Sequence, residues 1–398
     1  MAILVINSYD KLLDLNEIAP EKVSQMVVLT TPKLKNNHKF QYYEEIPDMS
    51  ENELVEYRVK ELTDYYKFDA LIAHDEYDMI RAGRIRDRLG IPGQTERSGR
   101  SFRDKVMMKE CAEQNVRTPV FRKINSIFDV YDFSAEHNYP FILKPIDQGA
   151  SRDIFVIRNE KDIQKYAETK KLYAYEAETF IEGDMYHIDA LFIDNNEKLL
   201  SVSQYWNGCL AYKENASLGS FQISSKSEEY IEVKDFFYQL LKSFECPANV
   251  VYHAEVFREA STGNLTLCEI ASRVGGGYIL QALESTYGIN IKTEWIRSQC
   301  GLNMQKELLP ENMLHGFLLI PPYKGEILEI PEEIPFQWVK VYDKAVAGTN
   351  FNQPHRSIDK VAGLLIEGEN EKVLQRRLNQ IDAWLRSQMV WKMERELI

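Results

Sequence analysis

The sequence predicts an α/β protein with more than one domain, in part of the α+β class. Its 398 residues suffice for two or three domains of about 150 residues each. Roughly the first ninety residues alternate short apolar runs with helical patterns, which is typical of a parallel sheet covered by helices. Later segments, at 173–204 and 250–270, contain mainly strand patterns, and they account for the α+β part.

Three apolar runs in the N-terminal region predict strands at residues 3–6, 26–29 and 68–73. A helix is predicted between the second run and the third, beginning with a capping box of Ser50 and Glu53. Its apolar face would consist of Val55, Val59 and Leu62. Another helix is predicted to end near Gly90, before Ile91-Pro92-Gly93, and a domain boundary is expected shortly after it.

The remaining elements are less regular. A helical segment is predicted from about residue 102 to 115, and extended stretches are predicted around Val120 and at 141–144. The strand-rich segment 250–270 is predicted to be a hairpin that turns at Ser261-Thr262-Gly263. The tail is predicted to close with a helix that carries on one face Leu374, Leu378, Ile381 and Leu385.

Composition and charge exclude several classes of protein. Hydrophobic residues make up 44% of the chain and charged residues 27%, which is typical of a globular protein and not of a disordered or fibrous one. The formal net charge of −13 repels nucleic acid phosphates and anionic membranes, so neither partner is expected. Five scattered cysteines without metal-ligand spacing predict a cytoplasmic location. No basic leader and no apolar run of about 18 residues is present, so no export or membrane insertion is expected.

Glu255 and Glu269 are the most informative pair of acidic residues. If the hairpin turns about Thr262, residues equally distant from Thr262 face each other, and this holds for both glutamates. Opposed carboxylates repel each other at a Cβ separation of about 5 Å unless a cation offsets the repulsion. Mg²⁺ suits such a pair, because it accepts few protein oxygens and shares its other positions with phosphate. The alternative is that one or both glutamates face solvent.

Lys144 ends the apolar run 141–144 and precedes a loop of small residues that includes Ser151. A lysine at the end of a buried strand supplies a point charge, and the N–H groups of such a loop can wrap phosphate oxygens. On its own, however, a Gly-Ala-Ser sequence is more often an ordinary turn.

The segment 178–189 contains a carboxylate, a short apolar run, a glycine and then a new strand. Such a linker can present backbone groups to a flat base, although a plain hairpin is equally compatible with it. At the strand period of two, Met185, His187 and Asp189 share one face. A lone histidine is more often structural than a ligand.

Residues 81–109 carry nine basic side chains against three acidic ones. This stretch can face phosphates. Arg84 and Arg88 lie four residues apart on the predicted helix, so most of the stretch is expected to be a solvated helix face.

Together these pieces resemble the ATP-grasp superfamily over most of the chain. The motifs that carry the resemblance are RDKxxxK with Lys105, FxLKP with Lys144, ExFIxG with Glu178, and ExASRxGG with Glu269, Arg273 and Gly276. Their order and spacing are specific as a set. The variants MYHID and EIASRVGGG look most like bacterial L-amino acid ligases, a subgroup of the carboxylate–amine ligases.

The resemblance implies an ATP-grasp fold with an N-terminal Rossmann-like pre-domain. The implied divisions are residues 1–95 for the pre-domain, 96–180 for the nucleotide-binding subdomain, 181–310 for the subdomain with the metal site, and 311–398 for a C-terminal segment that completes the substrate cleft.

The resemblance also implies ATP and Mg²⁺ as cofactors, with two Mg²⁺ ions, or Mn²⁺ as the alternative, bound by Glu255 and Glu269. The groups implied to bind ATP are Lys105, Lys144, the loop with Ser151, and the backbone of Glu178, Phe180 and Ile181. The residue that usually binds the ribose is Met185 here, so His187 is expected first in that role, with Glu182 or Asp184 as alternatives. The second metal site is expected to be weaker, because Ala271 replaces an asparagine.

The activity that the resemblance implies is ATP-dependent joining of an amino acid carboxylate to an amine through an acylphosphate, with release of ADP and phosphate. The implied catalytic residues are Lys144, Ser151 and Arg273, and the implied substrate contacts are Glu76, Arg273 and Gly276. Arg273 suits a carboxylate and its developing oxyanion, with a structural salt bridge as the alternative. Free amino acids, which are small molecules, are the expected substrates, and a homodimer is an option. A carrier-protein thiol as acceptor, or a non-catalytic ATP-binding module, are the alternative functions.

Overall fold

The computed structural model describes residues 2–169 and 174–393. The N-terminal region contains a four-stranded parallel sheet in the order β3-β2-β1-β4. Its elements are β1 (Ala2–Asn7), α1 (Leu15–Ile18), β2 (Met26–Thr30), β3 (Tyr42–Glu45), α2 (Leu54–Leu62), β4 (Phe68–Ala73) and α3 (Met79–Leu89). The predicted parallel sheet is therefore confirmed, and Gly90 ends α3 in the left-handed conformation.

Two short helices lead from this region into a four-stranded antiparallel sheet of order β5-β8-β6-β7. The elements are α4 (Glu96–Ser101), α5 (Lys105–Ala112), β5 (Phe121–Ile124), α6 (Ile127–His137), β6 (Phe141–Pro145), β7 (Phe155–Ile157), α7 (Glu160–Glu168) and β8 (Tyr175–Thr179). Side chains of α6 and α7 pack on the sheet in a separate core around Phe133 and Tyr166.

An eight-stranded sheet, of order β13-β12-β9-β10-β11-β14-β18-β16, forms the centre of the molecule. Its elements up to β14 are β9 (Gly183–Ile193), β10 (Asn196–Tyr205), β11 (Leu218–Gln222), α8 (Glu228–Leu241), β12 (Val250–Glu259), β13 (Leu265–Ala271), α9 (Ile279–Tyr287), α10 (Ile291–Gln299) and β14 (Leu314–Ile320). The hairpin predicted at 250–270 is confirmed as β12 and β13.

The last elements are β15 (Gly325–Glu329), β16 (Val339–Lys344), β17 (Asn350–Phe351), β18 (Ala362–Gly368), α11 (Glu371–Gln388) and β19 (Val390–Met393). The predicted face of α11 is confirmed, because its four apolar residues are buried in the main core. Strands β14, β16 and β18 belong to the eight-stranded sheet, so the segment after residue 310 shares a core with the one before it.

Three local predictions differ from the structure. The helix predicted to open at Ser50 begins at Leu54, and no side chain caps it at Glu53; Ser50 instead accepts a hydrogen bond from the Tyr9 hydroxyl. The helix predicted over 102–115 is shorter, because Asp104 caps α5 at its start. Strand β3 was not predicted, because Tyr42 to Glu45 lack an apolar run. The helices within the described ranges include none long and apolar enough to cross a membrane.

Candidate functional site

Glu255 on β12 and Glu269 on β13 are directly paired across the hairpin. The register shifts by one residue just beyond this pair, where Val256 faces Leu267 and leaves Cys268 unpaired. This is a β-bulge, a device that bends a strand and redirects its side chains. As a result, Cys268 and Glu269, although consecutive, both line the same cavity.

The two carboxylates differ in their surroundings. Glu269 lies with its Oε2 3.3 Å from the Lys105 Nζ. Burial alone would raise the pKa of Glu269, but Lys105, Lys144 and Arg273 together lower it to about 2. Glu255 accepts a hydrogen bond from the Tyr205 hydroxyl at 2.7 Å, and its Oε1 lies 3.5 Å from the His253 Nε2. Glu269 is therefore ionised at neutral pH and available to a cation.

Lys144, at the end of β6, is part of a buried group of two lysines and two glutamates. Its Nζ lies 2.8 Å from a Glu178 oxygen, and the Nζ of Lys109 lies 2.5 Å from Glu176 and 3.1 Å from Glu178. Burial alone would lower the pKa of Lys144, but Glu178 and Glu176 hold it well above its usual value. The pKa of Glu178, which burial would raise, is lowered by Lys109 and Lys144.

The loop after β6 has an unusual backbone. Ala150, Ser151 and Asp153 all have positive φ angles, of 57°, 53° and 55°. Two contacts hold this shape, since the Tyr212 hydroxyl donates to the Ser151 carbonyl and the Ser357 N–H donates to the Ala150 carbonyl. A run of residues in left-handed conformations is costly, and such strain occurs chiefly at binding sites.

A cavity of about 360 Å³ lies between the two sheets that carry these groups. Both Lys105 and Lys144 line it, together with the loop at 148–152, the linker at 178–183, and the pair Glu255 and Glu269. Phe180 is 41% exposed, which leaves its ring free to cover a flat group. Gly183 lets the linker approach β12, because a Cβ there would lie 1.9 Å from the Arg258 carbonyl oxygen.

A second cavity, of about 310 Å³, adjoins the first and shares with it Gly149, Ala150, Ser151, Arg152, Cys209, Glu255 and Glu269. Glu76 and Arg273 lie on its wall, with the Arg273 Nε 3.1 Å from a Glu76 oxygen. Arg103 contacts the other Glu76 oxygen at 2.5 Å. Burial alone would raise the pKa of Glu76, but Arg273 and Arg103 lower it to about 2. Gly276 also lines this cavity.

His187 does not line the nucleotide-sized cavity, so its predicted contact with a ribose has no support from its position. Its Nδ1 lies 2.6 Å from Asp189 and its Nε2 lies 2.6 Å from the Ser220 hydroxyl. Asp189 also contacts the His253 Nδ1 at 2.9 Å, and the potential ligand atoms of these three residues lie within 4.8 Å of one another. Met185 and Glu182, by contrast, do line the cavity.

Sequence reasoning missed three residues of the site. Lys109 is the second lysine of the RDKxxxK motif, and its position one helical turn after Lys105 could have assigned it to the same face. Arg103 is the first residue of the same motif and pairs with Glu76. His253 shares a strand face with Glu255, but no local pattern indicated that Asp189, on the neighbouring strand β9, would hold it.

The basic stretch at 81–109 is largely neutralised within the protein. Contacts to acidic residues involve Arg81, Arg84, Arg100, Arg103, Lys105 and Lys109. The predicted solvated helix face is therefore only partly correct, since Arg81 and Arg84 lie against Glu56.

Glu255 and Glu269 fit a divalent cation, because both are carboxylates that face one cavity and Glu269 already attracts an ammonium group. The groups that line this cavity also suit a nucleoside triphosphate. Two buried lysines and the N–H groups of a strained loop surround one end, and the linker with Phe180 lies on its wall.

Comparison with known proteins identifies similar sequences and similar folds. No protein-family profile matches the chain. The L-arginine-specific L-amino acid ligase of Bacillus subtilis is 24% identical over 272 residues, which is 66% of this chain and 65% of that protein. The match thus spans slightly less than two thirds of the curated relative.

Solved structures match over nearly the whole chain. An L-amino acid ligase from Bacillus licheniformis superimposes with a TM-score of 0.75 at 18% identity, covering 99% of both chains. The carboxyaminoimidazole ribonucleotide synthase from Aspergillus clavatus, complexed with ATP, gives a TM-score of 0.70 at 13% identity, covering 96% of this chain and 98% of that one. The chain therefore shares its fold with these solved structures.

Proposed function

We propose that this chain is an ATP-dependent ligase that joins the carboxylate of an amino acid to an amine through an acylphosphate, with release of ADP and phosphate. The observation that supports this most directly is the wall shared by the two cavities. Glu255, Glu269 and the loop with Ser151 line both, so a carboxylate bound in the second cavity would lie beside phosphates bound in the first. Positioning of this kind is the main requirement of phosphoryl transfer.

In this proposal the first cavity binds ATP. Lys105 and Lys144 contact the phosphates, and the loop with Ser151 covers them with its backbone N–H groups. The backbone of Glu178 and Ile181 and the ring of Phe180 hold the adenine. Glu182 replaces His187 as the group proposed for the ribose, because Glu182 lines the cavity.

Glu255 and Glu269 would hold two Mg²⁺ ions. When bound, Mg²⁺ neutralises charge on the phosphates and orients them. Tyr205 fixes one oxygen of Glu255 by its hydrogen bond, which limits the directions from which that carboxylate can coordinate. Lys105 would exchange its contact with Glu269 for one with phosphate.

Arg273 would bind the substrate carboxylate in the second cavity. Its Nε and Nη1 already bond Glu76 and the Val274 carbonyl, while Nη2 has no hydrogen-bond partner among the described residues. Glu76 therefore fixes the guanidinium and leaves one side for a ligand. In the second step the same arginine would stabilise the oxyanion that forms when the amine attacks.

The side chain of the carboxylate donor is proposed to be apolar. Part of the second cavity is lined by the apolar residues Leu218, Ile279, Phe317 and Ile358. Among the described residues that line it, Glu76 is the one carboxylate other than the proposed metal ligands, and two arginines already neutralise it. A cationic side chain would find no unpaired acid there within the described residues.

A free amine is proposed as the acceptor in preference to a carrier-protein thiol. This chain has a net charge of −13, so an acidic carrier protein could dock only on a local basic surface. Such a surface would have to come from the basic side chains at 81–109, but most of them contact acidic residues. The five cysteines are free thiols, which supports the proposed cytoplasmic location.

The proposal is tested by incubating the purified protein with ATP, Mg²⁺ and amino acids, singly and in pairs, without a carrier. Phosphate release is measured together with mass spectrometry of the products. A dipeptide is expected for at least one pair that contains an apolar amino acid, and the variant Glu269→Gln should form none. Absence of dipeptide from all proteinogenic pairs, with amino acid loading once a carrier protein is added, would establish the carrier ligase instead.

A further inference from the structure

A cavity of about 510 Å³ lies apart from the two cavities of the proposed active site and shares no lining residue with them. It is lined by residues of β1 and β4, of the helices α3 and α10, and of the segment at 245–250. Nothing in the proposed ligase reaction uses it, so its chemistry requires a separate account.

Arg86 of α3 is the buried charge of this cavity. Its side chain is 5% exposed, and no carboxylate oxygen of a described residue forms a salt bridge with it. The guanidinium donates to the carbonyls of Leu71 at 2.9 Å and Gln94 at 3.3 Å, and weakly to the Gln299 side chain at 3.5 Å. Its Nε and the Gln299 Nε2 are buried without a hydrogen-bond partner among the described residues.

Such an arrangement is unfavourable unless an anion completes it. A buried charge loses its hydration, and neutral carbonyls replace only part of that loss. Burial accordingly lowers the pKa of Arg86 to about 10. The other charged residues that line the cavity, Lys22, Asp69 and Glu245, are more exposed, so solvent weakens their charges more than that of Arg86 without removing them.

We propose that this cavity binds a small monoanionic carboxylate with an apolar body, with the carboxylate held by Arg86 and the Gln299 amide. A guanidinium and an adjacent amide N–H form the planar set of donors that a carboxylate accepts. Trp295, Ile3 and Met79 supply apolar wall. Asp69 and Glu245 also line the cavity, where they would disfavour a dianion such as phosphate.

Two cysteines provide a direct reading of occupancy. Cys246, which is exposed, and Cys300, which is buried, both line the cavity. Cys209 and Cys268 line the proposed nucleotide cavity. A single alkylation experiment with iodoacetamide, followed by peptide mass spectrometry, therefore monitors the two places separately.

The probe is benzoate, and its neutral isostere benzamide is the matched control, both at constant ionic strength. At a concentration ten times its dissociation constant, a ligand that covers the thiol should slow alkylation of Cys246 by about tenfold. We expect benzoate to do so in the wild type and in Arg88→Gln, a change at an exposed arginine of the same helix. In Arg86→Gln the slowing should disappear, and benzamide should have little effect in any of the proteins.

Arg86→Lys is the second variant, in case Arg86→Gln does not fold. It retains the charge but loses the planar set of donors, so the slowing should be reduced several-fold. The proposal is overturned if benzoate has no effect on Cys246 in the wild type, if benzamide or phosphate protects equally well, or if protection persists in Arg86→Gln.

This inference does not depend on the proposed ligase activity. ATP with Mg²⁺ should slow alkylation of Cys209 and Cys268 and leave Cys246 unaffected. Loss of that effect would count against the nucleotide site alone, whereas loss of the benzoate effect would count against the Arg86 cavity alone.

Discussion

Glu255 and Glu269 face each other across β12 and β13 immediately before a one-residue shift in register. The shift lies between this pair and the tip of the hairpin, so the residues nearer the tip pair in a register that differs by one residue. Equal distance from Thr262 thus predicts the partner of Glu255 correctly, but it does not predict the pairs nearer the tip. The two carboxylates share a cavity wall with Cys268 because of the bulge.

We predict that Glu269→Gln lowers turnover by about 100-fold or more, because it removes a charged metal ligand, while the fold survives because the amide has the same volume. Phosphate release at limiting Mg²⁺ measures the effect, and circular dichroism checks the fold. Glu259→Gln, near the tip of the same hairpin, is the control and should stay active. Near wild-type turnover of Glu269→Gln would remove Glu269 from the metal site.

We predict that Lys144→Ala and Lys105→Ala each raise the dissociation constant for ATP about tenfold or more, which corresponds to about 1.4 kcal/mol. Both ammonium groups are buried, so solvent screens them less than a surface charge. Calorimetric titration with ATP and Mg²⁺ measures the change. Lys123→Ala, at an exposed position of β5, should bind normally. Unchanged affinity in both buried-lysine variants would mean that these lysines serve only the fold.

We predict that Glu76 stabilises the fold above pH 4.5 and that this contribution falls as the pH drops toward 2. The pKa of Glu76 is lowered from 4.5 to about 2, so the carboxylate is charged in the folded state over a range where the unfolded chain binds a proton. The linked free energy is on the order of 3 kcal/mol. Urea unfolding should show Glu76→Gln less stable than the wild type at pH 7, with a difference that shrinks between pH 4.5 and 2. A difference independent of pH would contradict the paired state of Glu76.

We predict opposite outcomes for alanine at two adjacent glycines. A Cβ on Gly275 would lie 2.7 Å from the Ile279 Cδ1 and 2.8 Å from the His253 Nδ1, whereas one on Gly276 would meet only the Ile358 Cγ2 at 3.9 Å. Gly275→Ala should therefore lower the melting temperature through overpacking, by an amount equivalent to about 1–3 kcal/mol. Gly276→Ala should keep its stability and raise KM for bulky substrates, because it narrows the second cavity. Equal melting temperatures for the two variants would contradict this packing.

The sequence predicted secondary structure correctly where the signal is local, such as a helix end, or where apolar residues recur at a regular spacing. The strand at 68–73, the end of α3 at Gly90 and the buried face of α11 follow from periodicity and capping, and the structure confirms them. The start of α2 was mispredicted because Ser50 bonds Tyr9, a residue distant in the sequence, rather than capping the helix.

The site itself was predictable only in part. Lys105, Lys144, Glu255 and Glu269 share one cavity in the structure, and the motifs that contain them were visible in the sequence. The contacts of Glu76 with Arg103 and of Asp189 with His253 join separate elements, and no spacing rule relates residues whose distance is set by packing. His187 illustrates the limit, since strand period gave its face correctly but not its partners Asp189 and Ser220.

The contact between Lys105 and Glu269 links two ligands that the proposal assigns to one site. The ammonium and the carboxylate lie 3.3 Å apart. In the proposed complex the Lys105 ammonium contacts phosphate and the Glu269 carboxylate binds the metal, so their contact with each other must break. Whichever ligand arrives first releases the partner residue for the second, so nucleotide and metal should bind with positive cooperativity, which is reciprocal by thermodynamic necessity. Mn²⁺ binding without nucleotide, followed by electron paramagnetic resonance, should accordingly be tighter in Lys105→Ala than in the wild type; weaker binding would exclude this competition.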